Sequence, residues 1–563
     1  MKNIFVMTLL SIMTAFAGER TSPAAFTSSN LPIVIINTHG QSIPDEPKIT
    51  ADMGIIFNGA GKRNNLTDSL NLYNGKIGIE IRGSSSQMFP KKQYGLETRD
   101  SLGGELDVSF FGMPLESDWI LSAPYNDKSL MRDALTYSLS NSIGRYASRT
   151  RYCELVLNGE YMGVYILMEK LKRDKGRVNI SKVDTAAVSG DGLSGGYIIK
   201  IDKLSGSGND GWISNYPPRP GSPFKINYLY EYPKMEEITA AERAYIISFF
   251  YNFESVFSTS AYADTVNGYA KYLDRSSMVD FFLVNELGRN VDGFRLSSFM
   301  YKDKDSKNPK MFLGPVWDFN HAYGNSDYYD ASNISGWQLN WFNTNTAFQT
   351  GDMWQPPFWW FKVIEDSLFL QSADLRWRSL RKNQLSVARI NSFIDSVALH
   401  VDEAQQRNFV RWPILNQYVW PNAYIGGTYA NEIKYLKNWI SQRLVWMDWK
   451  LTGGPLAAVS GETRQPQQFG LVQNYPNPFN PSTTIEYSLG TQEHVTLTVH
   501  DILGKQIAVL VDGQQDAGVH RVQFNSSSFS LSRRNAGGLA SGIYFYQLRA
   551  GNFYAQQKMV ILK

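Results

Sequence analysis

Two short acidic turns carry the residues of this sequence best suited to chemistry, Asn290-Val291-Asp292-Gly293 and Trp317-Asp318-Phe319-Asn320. Each aspartate follows an apolar run and has an asparagine close by. Hard oxygen donors presented in this way at the mouth of a pocket suit Mg²⁺ together with a phosphate-bearing substrate. The same residues also suit ordinary turns and helix caps, because Asp and Asn bond readily to nearby backbone. On residue types and spacing alone both readings stay open.

A second dense segment runs from Lys76 to Glu97: a strand, the turn Arg82-Gly83-Ser84-Ser85-Ser86, and a returning strand that brings Lys91 and Lys92. Such a turn offers backbone N–H groups and hydroxyls to phosphate oxygens, and an inward lysine adds a point charge. Alternation along a strand sends the two lysines to opposite faces, and Lys92 shares parity with Tyr94 and Leu96. Lys92 is therefore the favoured inward residue, with a polar hairpin of solvated lysines as the alternative. The turn is neither a Walker loop nor GxGxxG. Further on, a hairpin from Tyr152 to Glu169 turns at Asn158-Gly159 and delivers Glu169 at its end. That glutamate suits either an ion pair holding the site lysine or a solvated strand end.

These residues need a scaffold. Ile33 to Ile36 reads as a strand, and Asp118 to Asp133 as strand, turn and helix start, with Asp127 capping a helix from Lys128 to Ile143. Arg132 in that helix suits a carboxylate or a phosphate partner. Helices are also expected at Ile238–Phe257, Ser276–Glu286 and Asn431–Leu451. Twelve of the 14 tryptophans lie between Trp317 and Trp449, a density that suits glycan stacking or a helical core, and large aromatics more often fill cores.

With 563 residues, 43% of them hydrophobic and 19% charged, the chain can fold into roughly two to four domains. A net charge of +3 with both signs interspersed points to neither nucleic acid nor anionic membrane as partner. Residues 1–17 read as a secretory signal peptide, with Lys2, an apolar stretch from Ile4 to Met13, and Ala15-Phe16-Ala17 before Gly18. No later run is long and apolar enough for a membrane span. Cys153 is the single cysteine, so an intrachain disulfide is excluded, and it reads as a buried hydrophobe. The six histidines lack metal-ligand spacing, which argues against zinc chemistry.

Residues 453–468, rich in Gly, Ala, Pro and Gln, read as a linker. Beyond them come short alternating strands: Thr483–Leu489, Val495–His500, Lys505–Val511, Gly518–Phe524, Gly542–Arg549 and Asn552–Leu562. Regular short strands of this kind predict a β-sandwich over residues 469–563.

Five segments, IRGSSSQMFPKKQYGLE, DWILSAPYNDKSLMRD, LNGEYMGVYILMEK, FFLVNELGRNVDG and PVWDFNHAYGN, occur in the order seen in the CotH kinase family, and residues 31–452 resemble that family. The resemblance implies an α+β, atypical protein-kinase-like catalytic domain that uses ATP and Mg²⁺ or Mn²⁺ to phosphorylate Ser or Thr of a protein substrate, as a monomer. It implies Lys92 as the nucleotide-phosphate lysine with Glu169 as its partner, and Arg82 and Ser84 beside the nucleotide. Asp292 becomes the base or substrate-orienting acid, and Asp318 the metal ligand, with Asn320 beside it. Two positions depart from the family pattern: Ser84 stands where many relatives carry Asn, and Asn320 replaces a second Asp. Other nucleotide-dependent transfers, of AMP or of glutamate, and a non-catalytic role in adhesion or coat assembly are the alternatives.

The end of the chain resembles the C-terminal sorting domain of the type IX secretion system, and also the Ig-like domain of hook-capping proteins, in NYPNPFNPST, LASGIYFY and KMV. It implies export to the outer cell surface by the type IX machinery.

Overall fold

The computed structural model describes residues 26–204, 210–453, 469–471, 473–474, 477–528 and 538–562. The expected signal peptide and nearly all of the expected linker lie outside the described residues. The chain divides into two compact units, Met1–Asp448 and Trp449–Lys563.

The first unit is α+β. Its N-terminal part is a closed barrel of seven strands: β1 (Ile33–Asn37), β2 (Ile49–Ile56), β3 (Tyr73–Arg82), β4 (Gln93–Arg99), β5 (Asp118–Ser122), β6 (Thr150–Leu157) and β7 (Glu160–Glu169), in the order β1-β2-β3-β4-β5-β7-β6. The antiparallel run is closed by a parallel pairing of β6 with β1. Alternate residues of each strand point inward, and Val34, Ile36, Met53, Ile55, Ile77, Ile79, Leu96, Trp119, Leu121, Leu155 and Leu167 form one buried core. Cys153 is buried there too, and its desolvated thiol is pushed up to about 12. The β6–β7 hairpin turns where the sequence predicts it, with Asn158 and Gly159 both at positive φ (51° and 81°), as a two-residue type I′ turn requires.

The returning strand departs from the parity argument. β4 begins only at Gln93, so Lys91 and Lys92 still lie in the preceding bend, where strand alternation does not apply. Lys91 is the buried one: its Nζ donates to Val164 O (2.5 Å) and Asn408 Oδ1 (2.9 Å) and lies 4.9 Å from the centre of the Tyr165 ring. Burial drives its pKa down to about 7. The unfolded lysine keeps its proton to about pH 10.4, so between these values the unfolded state binds more protons and stability rises with pH. We expect unfolding of the first unit, measured by denaturant titration at pH 7, 8 and 9, to gain up to about 1.4 kcal/mol per pH unit over a Lys91→Met variant. Parallel pH slopes for the two proteins would refute this.

After the barrel comes an antiparallel sheet of β8 (Tyr197–Ile201), β9 (Gly211–Ile213), β10 (Asn227–Tyr232), β11 (Ser298–Lys302) and β12 (Met311–Leu313), ordered β9-β10-β8-β11-β12. The main helices are α1 (Arg132–Ser142), α2 (Ala240–Phe257), α3 (Arg275–Gly288), α4 (Ser367–Arg381), α5 (Val387–His400), α6 (Asp402–Arg411) and α7 (Tyr429–Gly453). Thr239 and Glu242 form a reciprocal capping box that starts α2. The tryptophans serve largely as core: Trp337, Trp359, Trp360, Trp377 and Trp439 are buried.

The helix expected from Lys128 starts at Arg132 instead. The Asp127 carboxylate accepts from the Ser129 amide (3.0 Å), the Ser129 hydroxyl (2.6 Å) and the Arg132 amide (2.8 Å), and these bonds hold a turn with Leu130 at φ 62°. Arg132 is fully buried and pairs with Asp127 at 2.5 Å, so its partner is a carboxylate of the fold.

The second unit is β-rich. One sheet contains β13 (Gly470–Leu471), β14 (Ser482–Leu489) and β17 (Gly518–Asn525). The other is ordered β16-β15-β18-β19, from β15 (Glu493–His500), β16 (Gln506–Gln515), β18 (Gly542–Ala550) and β19 (Phe553–Ile561). Ile485, Tyr487 and Leu489 of one sheet share a core with Val495, Leu497, Tyr546, Leu548 and Met559 of the other.

Candidate functional site

The acidic turns are brought together by the end of α3. Arg289 caps that helix in the left-handed region (φ 47°), and the chain then runs through Asn290 and Val291 to Asp292, whose amide donates to Asn290 Oδ1 (3.1 Å). The other turn follows β12 and carries Asp318 at φ 63°. Its backbone is tied down on both sides: Asp318 N donates to the Tyr137 hydroxyl (3.2 Å), Phe319 N to Asp133 Oδ1 (2.6 Å), and Tyr323 N to Gly288 O (2.7 Å). A Cβ on Gly288 would lie 3.1 Å from Ala322 and 3.3 Å from the Phe319 ring, so the absence of a side chain lets the two turns approach.

Asp292 and Asp318 line one cleft with Arg82, Gly83, Ser84, Ser85 and Ser86 of the Gly/Ser turn and with Ser122, Asp133, Asp202, Lys203, Trp317, Asn320, His321 and Trp420. The turn begins at Gly83 (φ 101°), where a Cβ would strike the Ser86 hydroxyl at 2.0 Å. The Arg82 guanidinium lies 5.6 Å from the centre of the Trp317 ring.

Lys92 and Glu169 do not meet. Lys92 Nζ donates to Gln87 O (2.5 Å), just past the Gly/Ser turn. Glu169, at the end of β7, is fully buried; it pairs with the Arg149 guanidinium and accepts from the Arg149 amide (2.9 Å). Two arginines occupy the surroundings of this glutamate, since Arg177 Nε is also 3.9 Å away. The cationic side chains that line the cleft are Arg82 and Lys203.

The two aspartates differ in their surroundings. Burial alone would raise Asp292, but the hydrogen bond from His321 and the Arg295 guanidinium outweigh it and hold the carboxyl at about 2. Arg295 Nη2 stands 3.2 Å from Asp292 Oδ1, and His321 Nδ1 stands 3.4 Å from Oδ2. Burial also opposes protonation of His321, yet Asp292, Asp318 and Asp133 together raise it. Asp318 is pushed up to about 6 by burial and by Asp292, and Asp133 to about 7 by burial and by Asp318. Burial raises Asp202 as well. Burial and neighbouring carboxylates thus disfavour the joint ionisation of Asp133, Asp202 and Asp318.

A divalent cation fits this chemistry. The donors are hard oxygens, and Asn320 Oδ1 is buried with no hydrogen-bond partner. Among the described residues no group of three or more His, Cys, Asp or Glu side chains is arranged to hold a metal ion. Mg²⁺ takes one or two carboxylates and completes its shell with waters and substrate phosphates.

Asp133, Asp202, Lys203 and His321 were not among the expected site residues. His321 directly follows Asn320, and Asp133 closes the DWILSAPYNDKSLMRD segment, so both were within reach of the sequence. Asp202-Lys203 follows β8, whose place beside the turns depends on the sheet.

Residues 79–447 match the family model described as CotH kinase protein, more than half of the chain, and the protein belongs to that family. Residues 473–562 match the secretion system C-terminal sorting domain. This domain is the address for type IX secretion to the cell surface or extracellular space and engages that secretion machinery. Among the described residues no helix is long and apolar enough to cross a membrane. A comparison with curated proteins gave no match.

Proposed function

We propose that the protein is a secreted, metal-dependent atypical kinase that transfers the γ-phosphoryl group of ATP to Ser or Thr of extracytoplasmic proteins, with a kinase-like catalytic unit and an Ig-like sorting module. The observation that carries this reading is the meeting of Asp292 and Asp318 in one cleft lined also by the Gly/Ser turn, with Arg82 and Lys203 on its wall.

In this reading the Gly83–Ser86 turn and the Arg82 guanidinium bind the phosphate oxygens, with Lys203 as a second cation. Asp318 and Asn320 hold the divalent cation, which, when bound, spreads the charge of the transferring phosphoryl oxygens. Asp292, kept ionised by His321 and Arg295, orients the substrate hydroxyl. The hydroxyl oxygen bonds to the γ-phosphorus as the bond from that phosphorus to the bridging oxygen breaks; ADP leaves, and the hydroxyl proton passes to Asp292. Arg82 takes the phosphate role in place of Lys92, which bonds to Gln87 O.

The test is incubation of the full chain with Mn²⁺ or Mg²⁺ and ATP labelled at either the γ- or the α-phosphate, beside Asp318→Ala. γ-Label on protein, lost in the variant, is the expected result. α-Label on protein would instead assign AMP transfer. No label and no ATP-dependent thermal shift would favour the second reading, a binding protein of the cell surface. One observation favours that reading: neither Lys91 nor Lys92 reaches the cleft.

A further inference from the structure

We propose that Asp133, in the first turn of α1, is a direct ligand of the divalent cation, completing a donor set with Asp318 and the amide oxygen of Asn320. This inference rests on the metal and nucleotide reading above and adds a residue to it.

Asp133 Oδ1 accepts from Phe319 N at 2.6 Å, which fixes the carboxylate beside the residue lying between Asp318 and Asn320. The helix that carries it cannot drift from that turn: Arg132 Nε donates to Ala322 O (3.1 Å), and Tyr137, one helical turn after Asp133, accepts from Asp318 N (3.2 Å). Both Asp133 and Asn320 line the cleft.

Charge also favours a carboxylate on the Asn320 side of Asp318. Asn320 presents a buried Oδ1 with no partner, a good cation donor that brings no charge. Asp292 already faces Arg295 and His321, so its charge is partly spent. Of the other cleft carboxylates, Asp202 stands at the end of β8, whereas Asp133 is bonded to the turn that carries both Asp318 and Asn320. Asp133 provides that carboxylate from a different element, bonded to the amide between Asp318 and Asn320.

The experiment is Mn²⁺ binding to the full chain, followed by electron paramagnetic resonance with and without ATP, for the wild type, Asp133→Asn, Asn320→Asp and the double variant. Asn at 133 keeps an Oδ1 acceptor for the Phe319 amide, and an unchanged unfolding temperature in metal-free buffer verifies that the turn is intact. Asp133→Asn is expected to weaken Mn²⁺ by at least about tenfold, and the double variant, which moves the carboxylate to position 320, to recover most of the loss. Asn320→Asp, which leaves Asp133 in place, is expected to tighten Mn²⁺ and tests position 320; if the first variant does not fold, the weaker Mn²⁺ binding expected of the double variant relative to Asn320→Asp isolates Asp133 and decides the matter. Wild-type affinity in folded Asp133→Asn, or no tightening in Asn320→Asp, would overturn the proposal and leave the kinase reading standing. A wild type that binds no Mn²⁺ even with ATP would overturn both.

Discussion

Asp292→Asn is expected to lower phosphate transfer to protein by about 10²–10⁴-fold while Mn²⁺ and ATP still bind within a few-fold of the wild type. The two effects separate because Asp292 and Asp318 have different surroundings in one cleft. Asp292 is held ionised by Arg295 Nη2 at 3.2 Å and His321 Nδ1 at 3.4 Å, and Arg295 is itself fixed by bonds to Val291 O (2.7 Å) and Trp354 O (3.0 Å). A carboxylate positioned in this way suits the orientation of a hydroxyl. Asparagine has nearly the same shape and can still accept from Arg295, but it cannot take the proton. Single-turnover transfer and equilibrium nucleotide binding, measured on the same preparation, check the prediction. Equal loss of binding and transfer would instead make Asp292 part of the cation site.

The second large effect concerns stability. Glu286 and Arg443 are both fully buried, with Arg443 Nη2 3.2 Å from Glu286 Oε2. The glutamate also accepts from the Gln338 and Leu339 amides, each at 2.8 Å, and Arg443 donates to the Glu286 carbonyl through Nε (2.9 Å) and Nη2 (2.6 Å). Glu286→Ala would strand a buried guanidinium charge and two amides, a cost of about 3–5 kcal/mol. Because Glu286 lies in the last turn of α3, the damage reaches Asn290–Asp292 directly, and activity should fall at lower temperature than in the wild type. Calorimetry measures the first effect, and the temperature profile of transfer the second. Glu286→Gln, which can still bond to an amide, should cost less. An unchanged unfolding temperature in the alanine variant would show that the pair stabilises nothing.

Much of the frame was legible because it rests on local physics. The Asn158-Gly159 hairpin needs only two residues tolerant of positive φ between alternating strands. The helices Ala240–Phe257 and Tyr429–Gly453 follow from apolar spacing. The six expected C-terminal strands each recur with ends shifted by a few residues. Parity failed at Lys92 because alternation holds only inside a strand, and the strand begins one residue later.

The acidic turns that carry Asp292 and Asp318 were determined by the sequence, as short-range backbone features. So was the distinction between a large mixed unit and a β-rich C-terminal one. What surrounds those two carboxylates was decided only in three dimensions. Asp133 comes from α1, Asp202 and Lys203 from the end of β8, and His321 from the turn itself, and neighbouring charge shifts Asp133, Asp318 and His321. Glu169 shows the same dependence: its arginine partner Arg149 stands just before β6, where the antiparallel pairing with β7 sets it beside the strand end. Electrostatic partners at contact distance are a property of packing, because burial and neighbouring charge, not local sequence, fix the cost of each ionised group.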